Sequence, residues 1–149
     1  MSAASLSIVA RRLSFIRETD GPNAGAWVNF CQRWCSGKEG DSWCSDFVSL
    51  VIDVAYKGLP PVRRSGSCQE VLNDARAKGL IALAPAIDDL FFYIKDGRAH
   101  HVGVVTNPSP LTGIAGNTSE SGTSSNGDGV YEHPLSATPP NIVFVRLPK

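Results

Sequence analysis

Residues 40–47 read GDSWCSDF, and residues 47–56 continue as FVSLVIDVAY. The first segment is polar and begins with glycine, whereas the second is strongly apolar, so the junction predicts a loop that leads into a buried helix. Cys44 lies at that junction, at the predicted N-terminus of the helix. Unpaired backbone N–H groups and the positive end of the helix dipole stabilise a thiolate at such a position. Because a thiolate is the nucleophile of cysteine enzymes, Cys44 is the first candidate for a catalytic residue.

Other helical patterns flank this segment. Apolar residues recur at helical spacing in residues 5–18 and 24–35, which predicts two earlier helices. The second of them carries an apolar stripe that we expect in the core, made of Trp27, Phe30, Cys31 and Trp34. A later helix is predicted to begin after Ser67, because Ser67-Cys68-Gln69-Glu70 has the sequence of a capping box.

The second half of the chain has the pattern of short strands. Five strands are expected, at residues 90–94, 101–105, 114–118, 130–133 and 141–147. Residues 119–129 are rich in serine, glycine and asparagine, which is typical of a loop. Helices first and strands afterwards predict an α+β domain in which N-terminal helices pack on a C-terminal antiparallel sheet of about five to six strands. We see no repeat or linker, so residues 1–149 are expected to form one domain.

The composition is that of an ordinary globular protein. The chain has 149 residues, of which 42% are apolar and 19% charged, and its formal net charge is zero. A neutral chain gives no electrostatic reason to expect binding to nucleic acid or to an anionic membrane. No apolar run approaches the roughly 20 residues of a membrane-spanning helix. The four cysteines are expected to be reduced, because a domain of this size needs no disulfide scaffold.

The N-terminal segment lacks the features of a secretory signal. Residues 6–10 form a short apolar run, Arg11 and Arg12 interrupt it, and no small-residue cleavage site follows. We therefore expect synthesis in the cytoplasm without a signal peptide. Action outside the cytoplasm would then require another route of delivery.

The candidate base is a histidine, since histidine is the usual partner of a cysteine nucleophile. The chain has three, His100, His101 and His133. We favour His101, because Gly103 shares its strand face and is expected to leave room for substrate beside the imidazole. His100 lies on the opposite strand face and is expected at the surface.

An acceptor on the second ring nitrogen would hold the imidazole in place. Asn117 lies on the neighbouring predicted strand, directly after Gly116. An amide oxygen can orient the ring without adding a charge, as in Cys-His-Asn enzymes. Glu120, three residues further on, is the charged alternative.

Five segments follow one another in a distinctive order. They are ETDGPNAG at 18–25, WCSDFV at 43–48, DLFF at 89–92, HVGVV at 101–105 and GNTS at 116–119. This series resembles the CHAP family of cysteine peptidoglycan hydrolases, with their W-C-x-x-F-V nucleophile motif and their H-V-G-(I/V)-V and G-N-T segments. The first segment is similar to the lead-in of phage-type members. The resemblance implies a papain-like fold related to the NlpC/P60 group.

The resemblance also implies roles for individual residues. Cys44 is the expected nucleophile, His101 the general base and Asn117 the orienting residue. Trp43, Ser45 and Glu120 are the expected substrate-binding residues, with Trp43 lining a groove beside the nucleophile. No catalytic metal and no other cofactor is expected.

The function implied by the resemblance is cleavage of an amide bond in peptidoglycan through a thioester. The bond lies in the stem peptide or cross-bridge (endopeptidase) or joins lactate to L-alanine (N-acetylmuramoyl-L-alanine amidase). We expect a monomeric catalytic module that acts at the cell wall or in the periplasm, as a phage lysin, a virion-associated lysin or a delivered toxin. A holin, a virion or an immunity protein is the corresponding protein partner.

The chain departs from the family pattern at two positions. Asp88 stands where the family usually has glycine before its G-D-L strand, so the turn there is expected to differ. Ala115 stands where several members carry an acidic residue, which leaves Asn117 as the better-supported third member of the site.

Other interpretations of the same residues remain open. The domain could be a non-catalytic module for wall binding or assembly, or a cysteine amidase acting on a small soluble amide such as a polyamine conjugate. A zinc site could combine Cys31, Cys35, Cys68 and His101, but these residues lack a standard ligand spacing. A calcium site could use the acidic turn at residues 18–23, but the strong D-x-D-x-D-G pattern is absent, so we expect solvated turn residues there.

Overall fold

The computed structural model describes residues 3–35, 38–119 and 127–149. These residues form four α-helices followed by a six-stranded antiparallel sheet, which confirms the predicted α+β class and the order of helices before strands. The helices are α1 (Leu6–Arg12), α2 (Ala26–Cys35), α3 (Cys44–Ala55) and α4 (Cys68–Ala77). The strands are β1 (Ile81–Ala82), β2 (Leu90–Lys95), β3 (Arg98–Pro108), β4 (Leu111–Thr118), β5 (Gly129–Pro134) and β6 (Ile142–Val145).

The sheet has the strand order β1-β6-β2-β3-β4-β5, and every neighbouring pair is antiparallel. Strands β2 to β5 follow one another as a meander, and the C-terminal strand β6 returns to lie between β1 and β2. The β2–β3 hairpin turns at Asp96 and Gly97, which both have positive φ, at 52° and 76°. Two positive φ values are the mark of the type I′ turn that an Asp-Gly pair favours.

Helix α3 is the central helix, as its apolar sequence predicts. Eleven of its twelve residues are buried, and Val54 is the exception. It packs against α1 and α2 on one side and against β3 and β4 on the other. Full burial of a large apolar side chain such as Phe47 or Ile52 contributes roughly 1.5–3 kcal/mol relative to exposure. Packing on all sides therefore fixes the position of Cys44 at the start of this helix.

The prediction that the first helix extends to residue 18 is wrong, because α1 ends at Arg12. The chain then turns and runs beside the edge strand β5. The carbonyl oxygen of Ile16 accepts a hydrogen bond from the N–H of Val130 at 3.1 Å, and Arg17 forms a β-bridge with Gly129. Pairing with a strand outweighs the local helical pattern of these residues.

The expected core stripe of the second helix is wrong for its aromatic residues, although Cys31 is buried as predicted. Its three aromatic residues are substantially exposed: Trp27 at 46%, Phe30 at 38% and Trp34 at 40%. The buried face consists instead of Val28, Cys31 and Gln32. The Gln32 amide can be buried because its Nε2 donates to the carbonyl oxygens of Asn23, at 3.0 Å, and Asp41, at 2.8 Å. A polar group whose Nε2 is paired with two carbonyl oxygens thus takes the inner position, and the aromatic rings pack on one another at the surface.

Apolar side chains cover both faces of the sheet. The larger cluster lies between the helices and the sheet and includes Leu90 and Phe92 of β2. The residue between them, Phe91, belongs to a second cluster with Val105, Ala115, Leu135, Ile142 and Phe144. Successive residues of a strand point to opposite faces, so the second cluster lies on the face turned away from the helices.

The turn before β2 has a left-handed residue at Asp88, with φ of 76°. Aspartate rarely adopts this region, in which glycine carries no penalty. Its carboxylate accepts hydrogen bonds from the N–H of Ser7 at 2.8 Å and from Ser5 Oγ at 3.0 Å. The side chain therefore ties the turn to the start of α1. In the described part of the chain, no helix is both long and apolar enough to cross a membrane.

Candidate active site

Cys44 is the first residue of α3, as predicted. Trp43 occupies the N-cap position and makes no side-chain cap, so the first backbone N–H groups of the helix stay without a capping side chain. The pKa of the Cys44 thiol lies well below its usual range, because the Cys68 thiol donates a hydrogen bond to it and the His101 side chain lies beside it; burial opposes the shift. The structure therefore favours the thiolate at Cys44.

His101 lies on β3 with 1% of its surface exposed. Its ring stacks on Tyr93 of β2, with ring centroids 5.8 Å apart and an interplanar angle of 24°. Among the described residues, neither ring nitrogen makes a hydrogen bond of normal geometry. The imidazole nevertheless lies close enough to Cys44 to lower its pKa. Catalytic hydrogen bonds are often long without substrate and shorten when it binds.

The other two histidines differ in their surroundings. His100 is exposed, as predicted, and its ring centroid lies 6.3 Å from that of Tyr93. His133 is buried on β5, and its Nδ1 lies 3.0 Å from the carbonyl oxygen of Pro134. Of the three histidines, His101 has the strongest effect on the Cys44 thiol.

The expectation of open space beside Gly103 is wrong. A Cβ atom at Gly103 would lie 2.5 Å from the Phe91 ring and 2.6 Å from the carbonyl oxygen of Ile114. Gly113 meets the same ring, at 2.6 Å. Both glycines therefore make room for Phe91 in the second apolar cluster rather than for a substrate.

Asn117 lies near the end of β4 and is fully buried. The β3–β4 pairing runs from Pro108 and Leu111 to Val104 and Ile114, and Asn117 lies three residues beyond Ile114 on β4. Asn117 has a left-handed backbone, with φ of 53°, within an irregularity of the β4–β5 pairing. Bulges of this kind redirect a side chain beside active sites. The fold thus places Asn117 on the strand next to His101, as predicted.

Gly116 brings β4 directly against the start of α3. A Cβ atom at this position would lie 2.7 Å from the Trp43 ring and 2.8 Å from Cβ of Phe47. No larger residue fits without a shift of the strand or the helix. The glycine before Asn117 therefore sets the distance between β4 and the Cys44 turn.

Trp43 and Ser45, which were predicted to bind substrate, are buried rather than exposed in a groove. Trp43 has no exposed surface, and its Nε1 donates a hydrogen bond to Oε2 of Glu18 at 2.9 Å. Ser45 is 1% exposed, and its Oγ donates to the carbonyl oxygen of Ser65 at 2.7 Å. Both predictions are wrong, because these side chains hold the Cys44 turn in place and have no surface for a substrate. The third, Glu120, lies outside the described residues.

The residue that sequence reasoning missed is Cys68. Its Sγ lies 3.5 Å from Sγ of Cys44, and it is the first residue of α4. The predicted capping box is present, since the N-cap Ser67 accepts from the N–H of Glu70 at 3.3 Å. That box already placed Cys68 at a helix start like Cys44. No local pattern in the chain indicates that the two helix starts meet.

Asp46, in the first turn of α3, is a buried carboxylic acid with 1% of its surface exposed. Burial, together with the nearby Cys44 and Asp41, raises its pKa to about 7, and a hydrogen bond from Cys35 opposes the rise. Oδ1 has no hydrogen-bond partner among the described residues. The first turn of α3 thus carries a group that titrates near neutral pH.

The metal alternatives gain no support. Across residues 3–35, 38–119 and 127–149, no three His, Cys, Asp or Glu side chains cluster in a way that could hold a metal ion. In the acidic turn, the Glu18 carboxylate accepts the Trp43 hydrogen bond, so it is a structural acceptor rather than a solvated turn residue.

We compared the chain with protein-family models, curated proteins and solved structures, and none of the three comparisons gave a significant match. The likeness to the CHAP family therefore rests on the five motifs and stays a prediction.

A cavity of about 340 Å³ opens between the starts of α3 and α4. Its wall includes Ser42 and Asp46 on the side of α3 and Ser67 on the side of α4. These residues are close neighbours of Cys44 and Cys68 in the sequence. Neither cysteine lines this cavity, and Cys44 is only 4% exposed, so little of the thiol is accessible to a substrate.

Proposed function

We propose that this protein is a cysteine hydrolase that cleaves an amide bond of peptidoglycan. The observation that carries the proposal is a buried thiol at a helix N-terminus, with a lowered pKa and an imidazole beside it. This is the environment of an activated nucleophile. The substrate class comes from the resemblance to the CHAP motifs.

The proposed reaction has two steps. The Cys44 thiolate attacks the amide carbonyl, and the His101 imidazolium protonates the leaving amine, which leaves a thioester on Cys44. His101, now neutral, takes a proton from water, and the hydroxide attacks the thioester and restores the free enzyme. The carboxyl product departs and the proton on His101 is ready for the next cycle.

Two further groups support these steps. The Cys44 backbone N–H, at the start of α3, is a donor for the oxyanion that forms in each step. Asn117, on the strand beside His101, would hold the imidazole in the orientation that faces the thiol. A neutral amide suits this role because it adds no charge to the site.

The experiment is digestion of purified peptidoglycan by the wild type and by Cys44→Ala, with mass spectrometry of the released fragments. We expect fragments from the wild type and none from Cys44→Ala. The fragment masses identify the bond, since an amidase releases intact stem peptides from the glycan and an endopeptidase cuts within the peptide part. Equal digestion by both proteins would refute the role of Cys44.

Cys35→Ala is the matched control for loss of a thiol. Cys35 is partly buried and donates a hydrogen bond to the carbonyl oxygen of Asp46 at 3.6 Å. Burial raises its pKa to about 12, so it carries no thiolate near neutral pH. The control is expected to digest peptidoglycan as the wild type does.

The low exposure of the Cys44 side chain favours a second candidate function. A nucleophile that is 4% exposed suits a small soluble amide better than a polymer. Synthetic stem peptides without glycan, and simple acylated amines, separate the two candidates. Turnover of simple amides together with no release from intact peptidoglycan would support the second candidate over the first.

A further inference from the structure

Two cysteines from different helices meet beside the candidate site. Cys44 begins α3, Cys68 begins α4, and their sulfur atoms are 3.5 Å apart. They are separated by 24 positions in the sequence, so the fold rather than the local chain brings them together. The proposed hydrolysis uses Cys44 alone and gives Cys68 no chemical task.

A hydrogen-bond network holds the two helix starts together. The carbonyl oxygen of Ser65 accepts from Oγ of Ser45 at 2.7 Å and from Oγ of Ser49 at 3.2 Å, both on α3. Oγ of Ser65 accepts from the N–H of Ser67, the N-cap of α4, at 3.0 Å. The segment before α4 is therefore fixed to α3. These hydrogen bonds hold Cys68 beside Cys44.

The two sulfur atoms differ in protonation. Cys68 donates a hydrogen bond to Cys44, which lowers the pKa of Cys44 and raises that of Cys68 well above its usual range. Cys44 is thus the sulfur that ionises more readily, and Cys68 the one that keeps its proton. A thiolate with a thiol in contact is the arrangement found in redox-active cysteine pairs, in which the second cysteine resolves the oxidised first one.

We propose that Cys44 and Cys68 form a redox site, in which hydrogen peroxide converts the pair to a reversible disulfide. The Cys44 thiolate attacks one peroxide oxygen, the O–O bond breaks, and hydroxide leaves as a sulfenic acid forms on Cys44. The Cys68 sulfur then attacks the Cys44 sulfur. The S–O bond breaks, and the departing hydroxide takes the Cys68 proton and leaves as water. Peroxide is reduced by two electrons, and the two thiols supply them.

Little movement is needed to close the bond. The sulfur atoms must approach from 3.5 Å to a bonded distance of about 2.05 Å. Cys44 follows the loop at residues 40–43 and Cys68 follows the segment at 65–67, so each lies at the end of a helix rather than within one. The disulfide would occupy the nucleophile and so stop hydrolysis until a reductant restores both thiols, a consequence that rests on the proposed function.

The remaining cysteines provide an internal contrast. Burial and the nearby Asp46 raise the pKa of both Cys31 and Cys35 to about 12. Thiols of this kind react slowly with peroxide, because the thiolate is the reactive form. The proposal therefore predicts selective oxidation at the pair.

The test is peptide mapping of the peroxide-treated protein, without reductant. Cleavage after lysine and arginine places each cysteine on a different peptide: 18–33, 34–38, 39–57 and 65–76. We expect one new species, in which peptides 39–57 and 65–76 are joined and have lost two hydrogen atoms. It should disappear after treatment with dithiothreitol. Links through 18–33 or 34–38, or oxygen added to Cys44 without any link, would overturn the proposal.

The matched variants are Cys68→Ala and Cys35→Ala. In Cys68→Ala, peroxide should carry Cys44 onward to sulfinic and sulfonic acid, because no resolving thiol is present. In Cys35→Ala, the 39–57 to 65–76 link should form as in the wild type. A sulfenic acid that persists unchanged on wild-type Cys44 would also overturn the proposal.

Activity measurements form a separate arm. With peptidoglycan as substrate, peroxide should abolish wild-type digestion and dithiothreitol should restore it. Cys68→Ala loses the hydrogen bond that lowers the Cys44 pKa, so its activity before treatment is the reference, and peroxide should abolish that activity irreversibly. Peptide mapping needs no substrate, so the disulfide can be established even if the protein does not cut peptidoglycan. Conversely, hydrolysis of peptidoglycan without a peptide link would support the function and refute the redox site.

Discussion

Replacement of Asp46 by asparagine should make the protein more stable at neutral and alkaline pH. The buried carboxyl has a pKa of about 7, against 3.8 for an ordinary aspartate. Below pH 3.8 the carboxyl is protonated in both the folded and the unfolded state, so it does not change the free energy of unfolding. Between pH 3.8 and 7 the unfolded state ionises first, so the free energy of unfolding falls as the pH rises. Above pH 7 the carboxyl is ionised in both states, and the free energy of unfolding falls no further because of it.

The size of the effect follows from the pKa difference. A shift of about three pKa units corresponds to about 4 kcal/mol, at roughly 1.4 kcal/mol for each unit. Asp46 is 1% exposed, so little solvent screening reduces this figure. Asparagine keeps the shape and removes the charge. The stability advantage of Asp46→Asn should therefore grow from pH 4 to pH 7 and then stay constant.

The assay is urea unfolding followed by tryptophan fluorescence, at intervals from pH 4 to pH 8. Asp20→Asn is the matched control, because Asp20 is exposed and the same change should leave the pH dependence as in the wild type. Parallel stability curves for the wild type and Asp46→Asn over this range would refute the reasoning.

Two substitution sites and one chemical labelling experiment give further tests of the candidate site. Gly116→Ala should destabilise the fold by about 1–3 kcal/mol and reduce activity, because the new Cβ would lie 2.7 Å from the Trp43 ring; urea unfolding and digestion assays check this. Glu18→Ala should cost about 1–3 kcal/mol by leaving the buried Trp43 indole N–H without its acceptor, and Glu18→Gln should retain most of the stability. Iodoacetamide near pH 6 should label Cys44 before Cys35, as peptide mapping would show, since only the first has a lowered pKa. Equal labelling of the two thiols would contradict that assignment.

Local patterns in the sequence were sufficient for much of the fold. The glycine-to-apolar junction located the start of α3 at Cys44, because a helix start and its buried face depend on residues close together in the chain. The capping box located α4 for the same reason. The Asp-Gly turn and the change to short strands predicted the antiparallel hairpin of β2 and β3.

Features that depend on tertiary contacts escaped prediction. An aromatic stripe on α2 has the same period whether it faces the core or the solvent, and the choice was made by Gln32 and its two loop carbonyl partners. Residues 16–18 continue a helical pattern, but in the structure they form backbone hydrogen bonds with residues at the start of β5 and with Asp128 before it. In both cases a distant backbone group supplied the decisive contact.

The candidate site shows the same division. The positions of Cys44 at a helix start and of His101 on a strand follow from local patterns, but the reason for preferring His101, open space beside Gly103, was wrong because the Phe91 ring fills that space. Trp43 and Ser45 were misjudged, because their acceptors, Glu18 and Ser65, lie 25 and 20 positions away. Cys68 was missed as a partner of Cys44 for the same reason.

The central claim is that Cys44 and His101 act as one catalytic pair. Release of new amino groups from purified peptidoglycan tests it most directly, in the wild type, Cys44→Ala, His101→Ala and His100→Ala. The account predicts release by the wild type and by His100→Ala, because His100 is exposed and is not the histidine that lowers the Cys44 pKa, and no release by the other two. Release by His101→Ala at the wild-type rate, or loss only in His100→Ala, would contradict it.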